Sequence, residues 1–318
     1  MGTVKNNDFK KKVFTVIVTY NGTQWIKECI TSVISDTTVI VVDNQSSDET
    51  LDVVEEQFED VVILKQNENL GFGKANNIGI SYALKENADY ILLLNQDAKM
   101  ENGSISKLVE GSNKFEDFGI ISPIHCDWNR GNLETSFSKY LAQNDNNEFY
   151  SDFVLGKQKK PIYQVPFVAA ACWFIQAKKF LIVGGFDPIF NHLGEDVNLV
   201  QRFKYHGFKV GIIPNCIVKH DTGNRKDIKV EKYSETYFYK LDYRSKMKFA
   251  DINIENWREK IRYAKNQVRK ELLFAFLRLN FKHVKNGFKE TSLLNEIMLE
   301  CQKSRAVNKE KGSHYLNL

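Results

Sequence analysis

The chain has 318 residues, 42% hydrophobic and 26% charged, with a formal net charge of +4. This is globular composition, enough for one large domain or two smaller ones, and the charge is too mild to argue for a nucleic-acid partner. No stretch reaches the ~18 consecutive apolar residues of a membrane span. The longest uncharged apolar run, residues 165–175, is interrupted by Pro166. The N-terminus MGTVKNNDFKKKVF has no apolar segment before a cleavage site, and Gly2 lacks a Ser or Thr at position 6, so neither a secretory signal nor myristoylation is expected. Cys29, Cys126, Cys172, Cys216 and Cys301 form no CxxC pair and read as buried free thiols of a reducing, cytoplasmic compartment.

Strand and helix alternate through the first third. Residues 13–19 form a β-branched run, and Ile26, Cys29, Ile30, Val33 and Ile34 then recur on one helical face. Residues 38–42 read as a second buried strand. Ser46 and Glu49 fit a capping box for a helix through residue 58. Residues 61–64 follow as a third strand, Ala75, Ile78, Tyr82 and Ala83 mark another helix, and residues 90–94 a fourth strand. Fully apolar strands alternating with helices predict a parallel sheet covered on both faces, with ligands at the carboxyl ends of its strands. Those ends are Thr19-Tyr20-Asn21, Asp43-Asn44-Gln45-Ser46, residues 67–73 and Asn95-Gln96-Asp97, and every one is polar.

Residues 125–160 are polar and read as a long surface excursion or flap. Beyond about residue 225 the character changes. Residues 251–290 hold ten Lys or Arg against five Asp or Glu, with Trp257, Ile261, Ala264, Val268, Leu272, Phe276 and Leu279 at helical spacing. The expectation is one domain over 1–225 and a helical, basic amphipathic region over 226–318. Its apolar stripe lies either in a membrane interface or against the catalytic domain or a second subunit.

Several residues carry chemistry. Asp43 at a strand tip suits a base N–H or a ribose hydroxyl, or else an Asx turn. The stretch NENLGFGKANN brings Gly71 and Gly73 to a helix N-terminus, where backbone and an anion can meet. It matches neither the dinucleotide fingerprint nor the P-loop pattern. Asn95 and Asp97 offer oxygen to Mg²⁺ or Mn²⁺. Glu195-Asp196 opens an amphipathic helix, either as dipole partners or as a general base. His220 lies near a strand end and reads as structural, or as a partner of metal or phosphate.

TVIVTYNG, VVDNQSSDET, NLGFGKANNIGI, LLLNQDA and GGFDPIFNHLGEDVNLVQRFKYHGFKV, in this order, resemble the family 2 glycosyltransferases, nearest the bacterial rhamnosyltransferase-like branch. The resemblance covers about residues 12 to 222. It implies an α/β GT-A fold with a mostly parallel central sheet, a nucleotide-sugar donor, a divalent metal and inversion at the anomeric carbon. By match, Thr19, Tyr20, Asn21, Asp43, Asn44 and Ser46 surround the nucleoside, and Asn69, Gly71 and Asn77 line the nucleotide side. Asn95-Gln96-Asp97 occupies the D-x-D position, Asp196 is the base of the E-D pair with Glu195, and His220 lies near pyrophosphate or metal. Asn95 departs from the first Asp of that motif, leaving Asp97 as the main metal ligand, and Asn198 and Ser245 depart elsewhere. The implied donor is dTDP-L-rhamnose, with a UDP-hexose as alternative. The implied acceptor is a glycan or a lipid-linked hydroxyl in cell-surface polysaccharide synthesis. A nucleotidyltransferase is disfavoured because TYNGTQW stands where a Gly-rich basic signature belongs. A non-catalytic scaffold is disfavoured by the intact Asp97 and Asp196.

Overall fold

A computed structural model describes residues 11–129, 131–142, 147–223 and 230–318. Its centre is a nine-stranded sheet. β1 (Val13–Thr19) is flanked by β2 (Thr38–Asp43) and β4 (Tyr90–Asn95), with β3 (Val62–Lys65) outside β2, all parallel. β8 (Cys172–Gln176) runs antiparallel to both β4 and β6 (Phe118–Asp127). β9 (Lys209–His220) is parallel to β6, and its two halves pair with β7 (Tyr163–Val165) and β5 (Ala98–Met100). Six of the nine strands therefore point one way, as the apolar pattern predicts.

Alternation along the strands builds two cores. Phe14, Val16, Ile40 and Val42 face α3 (Phe72–Lys85), α7 (Ala177–Val183) and α8 (Glu195–Tyr205), whose Ala75, Ile80, Phe180, Leu199 and Phe203 are buried against them. Val13, Ile17, Val39 and Val41 face α1 (Thr23–Thr31), α2 (Thr50–Gln57) and α4 (Ser104–Lys114), which contribute Ile26, Ile30, Val54, Ile105 and Leu108.

Two expectations are corrected here. The stretch after β6 is no loose flap among its described residues. It forms α5 (Thr135–Ala142) and α6 (Asn147–Val154), which bury Phe137, Leu141 and Phe149 in the first core. The capping box is also absent. α2 starts at Thr50, and the residue that ties its start to α1 is Asp48. The Asp48 carboxylate accepts from Thr23 Oγ1 at 2.6 Å and from the Thr50 N–H at 3.1 Å. Desolvation alone would raise its pKa, but the hydrogen bonds from Thr23 and Thr50 together outweigh it and bring it down to about 2.

After β9 come α9 (Glu235–Phe249), α10 (Trp257–Leu277) and α11 (Phe281–Lys309). Trp257, Ile261, Val268, Leu294, Ile297 and Cys301 form a third cluster together with Phe190. Asp187, from the GGFD stretch after α7, ties α11 and Tyr315 to that loop. Its Oδ2 accepts from Ser304 Oγ, Asn308 Nδ2 and the Tyr315 hydroxyl at 2.6, 2.7 and 3.2 Å. No helix among the described residues is long and apolar enough to cross a membrane.

Candidate active site

The residues leaving β1 and β2 are bonded to each other. Thr19 Oγ1 donates to Asp43 Oδ1 at 3.1 Å, and the Ser46 N–H donates to Asp43 Oδ2 at 3.0 Å, folding the chain back over the strand end. Asn21 sits at φ 49°, a left-handed conformation that asparagine tolerates. Its N–H donates to Ser46 Oγ and its Oδ1 accepts from the Ser47 N–H, at 3.0 and 2.8 Å. Asn44, buried, holds the next tip. Its Nδ2 donates to Asn69 Oδ1 at 2.9 Å, and its Oδ1 accepts from the Leu70 N–H at 2.8 Å. Gln96 reaches back from β4 and pairs with both backbone groups of Tyr20, at 3.0 and 3.1 Å. The Tyr20 ring is left 47% exposed.

Gly71 has φ +79°, and a Cβ there would stand 2.2 Å from the Asn191 carbonyl oxygen. Only glycine allows this approach, which presses the turn before α3 onto the loop before α8. Asn77 lies elsewhere. Its amide donates to the Phe186 carbonyl at 2.8 Å and accepts the Phe186 N–H at 2.7 Å, both buried. It clamps α3 to the GGFD stretch.

The tips of β4 and β9 are different in kind. His220 Nε2 lies 3.3 Å from Asp97 Oδ1, and His220 Nδ1 lies 3.2 Å from Glu134 Oε2. Burial would lower the His220 pKa, but the two carboxylates outweigh it and raise it to about 9. Burial would likewise raise Glu134, but His125 and His220 bring it down to about 2. Burial pushes the His125 imidazole down, and its Nε2 shares a 2.9 Å hydrogen bond with Ser122 Oγ. Asn95 donates its N–H to the Ala171 carbonyl at 3.0 Å. Its Nδ2 lies 3.4 Å from His220 Nε2, and its buried Oδ1 has no hydrogen-bond partner. Beside His220 opens a cleft of about 330 Å³ lined by Asp127, Trp128, Thr135, Asp221 and Thr222. Trp25 Nε1 donates to Asp221 Oδ2 at 2.9 Å, holding α1 to its rim.

Asp97, His220 and the unpartnered Asn95 oxygen fit a divalent cation. A separation of 3.3 Å between His220 Nε2 and Asp97 Oδ1 suits neighbouring ligands of one ion at roughly 2.0–2.2 Å each. Glu134 stands where a partner that orients a ligating imidazole belongs. Among the described residues no three His, Cys, Asp or Glu side chains gather closely enough to hold a metal. The remaining positions would fall to water and phosphate oxygens.

Gly194 at φ +95° starts α8, and Asp196 in its first turn meets Ala170 of the loop before β8. Asp196 is half-buried. Burial raises its pKa, opposed by hydrogen bonds from the Val197, Ala170 and own N–H groups. Because Ala171 holds Asn95 and Ala170 reaches Asp196, the acid and the β4 tip share one loop. Glu195 is buried, its Oε2 lacks a partner, and desolvation lifts its pKa to about 7.

Residues 15–180 match the family model for glycosyl transferase family 2. The chain belongs to this family. It is 25% identical over 205 residues to N-acetylglucosaminyl-diphospho-decaprenol L-rhamnosyltransferase of Mycobacterium tuberculosis, covering 57% of this chain and 66% of that one. It thus spans just under two thirds of that relative's length. It is 24% identical over 220 residues to the dTDP-rhamnosyl transferase RfbF of Shigella flexneri, covering 69% and 71%. In fold it is similar to Staphylococcus aureus TarS 1–349 in complex with UDP, with a TM-score of 0.51 and 12% identity over 94% and 90% of the chains. It is also similar to GalNAc-T7 with UDP, GalNAc and Mn²⁺, with a TM-score of 0.52 and 18% identity over 75% and 50%. The fold is GT-A.

Within this family 2 chain, Asp196 and His220 lie beyond the matched segment, so geometry alone joins them to Asn95 and Asp97. Glu134 went unread in the sequence. It stands in a polar stretch just before a helix, where an acid reads as a dipole partner, and the histidine it orients is 86 residues away.

Proposed function

We propose that this chain is a metal-dependent, inverting glycosyltransferase that moves L-rhamnose from dTDP-L-rhamnose to a hydroxyl of a glycan or lipid-linked acceptor. One observation carries the reading: the Asp97–His220 pair, with the unpartnered Asn95 oxygen, shares a loop with the half-buried Asp196. The names of two relatives, an L-rhamnosyltransferase and a dTDP-rhamnosyl transferase, support the sugar, and the decaprenol-linked acceptor in one of them supports a lipid-linked hydroxyl. A UDP-hexose is the second donor reading, supported by UDP in both structural neighbours. Five buried, unbridged cysteines support work in a reducing, cytoplasmic compartment.

Asp196 is the better base of the two acids because it is the more exposed, so an acceptor hydroxyl can reach it. It takes the hydroxyl proton as that oxygen attacks C1, and the bond from C1 to the diphosphate breaks on the opposite face. A positioned base contributes typically ~10²–10⁴-fold. Mg²⁺ or Mn²⁺ held by Asp97, His220 and Asn95 would supply positive charge against the departing diphosphate. Glu134 keeps His220 turned toward that position. Tyr20 offers an exposed ring beside the laced tips, suited to stacking on a nucleobase.

The test is turnover of a panel of nucleotide sugars by the purified chain, with and without chelator. Preferential, chelator-sensitive consumption of dTDP-L-rhamnose is expected. Turnover of UDP-glucose or UDP-galactose with indifference to dTDP-L-rhamnose would transfer the reading to the hexose donor.

A further inference from the structure

The helical hairpin of α10 and α11 is complete without its outermost residues. Val268 and Ala275 are buried along its inner face, and a Cβ on Gly287 would stand 2.6 Å from Leu272 Cδ2, so the two helices already pack closely. Yet Leu273, Phe274, Phe276, Leu277, Leu279, Phe281 and Phe288 remain exposed around the tip, Phe274 by 61% and Leu279 by 71%. A cluster of large apolar side chains that the fold does not use marks an interaction surface. Between residues 269 and 289 the same tip carries Arg269, Lys270, Arg278, Lys282, Lys285 and Lys289, all exposed, against the single acid Glu271. Glu271 is itself paired with Lys232 at 2.6 Å.

The tip is also linked through α9 to the loop that precedes Glu195. Its base touches the start of α9, where the Tyr233 and His283 rings are 4.7 Å apart and the Tyr237 hydroxyl donates to Glu290 at 3.0 Å. Two residues further along α9, the Tyr239 hydroxyl donates to the His192 carbonyl, just before Glu195.

We infer that the α10–α11 tip docks this protein on an anionic lipid surface, its aromatic and leucine side chains entering the interface and its lysines and arginines meeting the headgroups. Charge complementarity selects this occupant. A second copy of the chain would bring the same cations against each other, whereas an anionic bilayer takes both the apolar crown and the basic ring. Both surfaces are solvent-exposed, so they can be altered without opening a core. The inference needs no assumption about donor or acceptor.

The experiment is co-sedimentation of the full chain with vesicles of phosphatidylcholine alone or with ~30% phosphatidylglycerol, at low and high salt. Binding to the anionic vesicles that salt weakens is expected. Each cation near such a surface is worth about fivefold in partition, so Lys282→Glu with Lys285→Glu should weaken binding by well over ~10-fold. Phe274→Ser with Leu277→Ser should weaken it similarly at both salt concentrations. Circular dichroism and donor hydrolysis in solution should stay at the level of the unaltered chain for both variants. Absence of anionic-vesicle binding by the unaltered chain would overturn the inference. So would binding that both variants retain, or a dimer in light scattering that the Phe274→Ser/Leu277→Ser variant loses while vesicles capture neither protein.

Discussion

The tips of β1 and β2 are laced to each other by hydrogen bonds, whereas the tips of β4 and β9 meet through His220, which lies against Asp97 and lines a cleft. In the first region Thr19, Asp43, Ser46, Asn21, Asn44 and Asn69 form a closed set of hydrogen bonds. In the second, His220 lies between Asp97 and Glu134, and Asn95 Oδ1 has no partner at all. Both read as polar strand ends in the sequence. The difference teaches that polar strand ends can close on each other into a rim in one place and, in the other, gather the charged groups that the proposed reaction needs. What differs is that the second set holds an imidazole between two carboxylates and one amide oxygen left without a partner.

The comparison is broken most severely at the base. Asp196→Asn removes the proton acceptor and leaves the shape, so transfer should fall by ~10²–10⁴-fold with donor binding retained. Steady-state kinetics beside donor calorimetry would separate the two, and transfer within a few-fold of the original enzyme would remove Asp196 from its role. Next comes Asp97→Ala, which should abolish the part of donor affinity that chelator removes. Asn95→Ala should do less, since a neutral amide is the weaker ligand. A larger loss at Asn95 than at Asp97, or donor affinity indifferent to chelator, would contradict the cation assignment.

Glu134→Gln sharpens the contrast further. It leaves a hydrogen-bonding side chain beside His220 but withdraws the charge. Removing such an orienting partner typically costs ~10–100-fold in metal affinity or activity. A titration with Mn²⁺ in the presence of dTDP reads the effect directly. If metal affinity is unchanged while the melting temperature drops, Glu134 is part of the core and does not serve the site.

The fold was legible because its strands are buried on both faces, so residues 13–18, 39–42 and 90–94 carry continuous or, with Thr15, near-continuous apolar runs. The α5–α6 region was not. Phe137, Tyr140 and Leu141 fall at i, i+3 and i+4, but the surrounding Asn, Asp and Lys outnumber them and lower the apolar signal to that of a loop. The capping box failed for a local reason. Asp48 stands two residues before the start of α2 and accepts both its Thr50 N–H and the Thr23 hydroxyl, leaving Ser46 to bond Asn21. The strand tips were legible as polar positions, because each ends an apolar run. Glu134, whose partner His220 lies 86 residues away, was not.

Asn77 gives the smallest expected effect on catalysis and the cleanest separation of rim from scaffold. Its amide satisfies both backbone groups of Phe186 at a buried position, at 2.8 and 2.7 Å. Asn77→Ala leaves a buried N–H and a buried carbonyl without partners, each costing about 1–3 kcal/mol. A Cβ on the neighbouring Gly185 would stand 2.3 Å from Asn77 Oδ1, so the side chain fills its space closely and a small cavity adds to the loss. Stability should therefore fall clearly in thermal melting. Because the amide reaches neither the laced tips nor the cleft beside His220, the KM for donor should not move at temperatures where the variant is folded. A raised KM with an unchanged melting temperature would be the signature of a nucleotide contact and would restore Asn77 to the binding site.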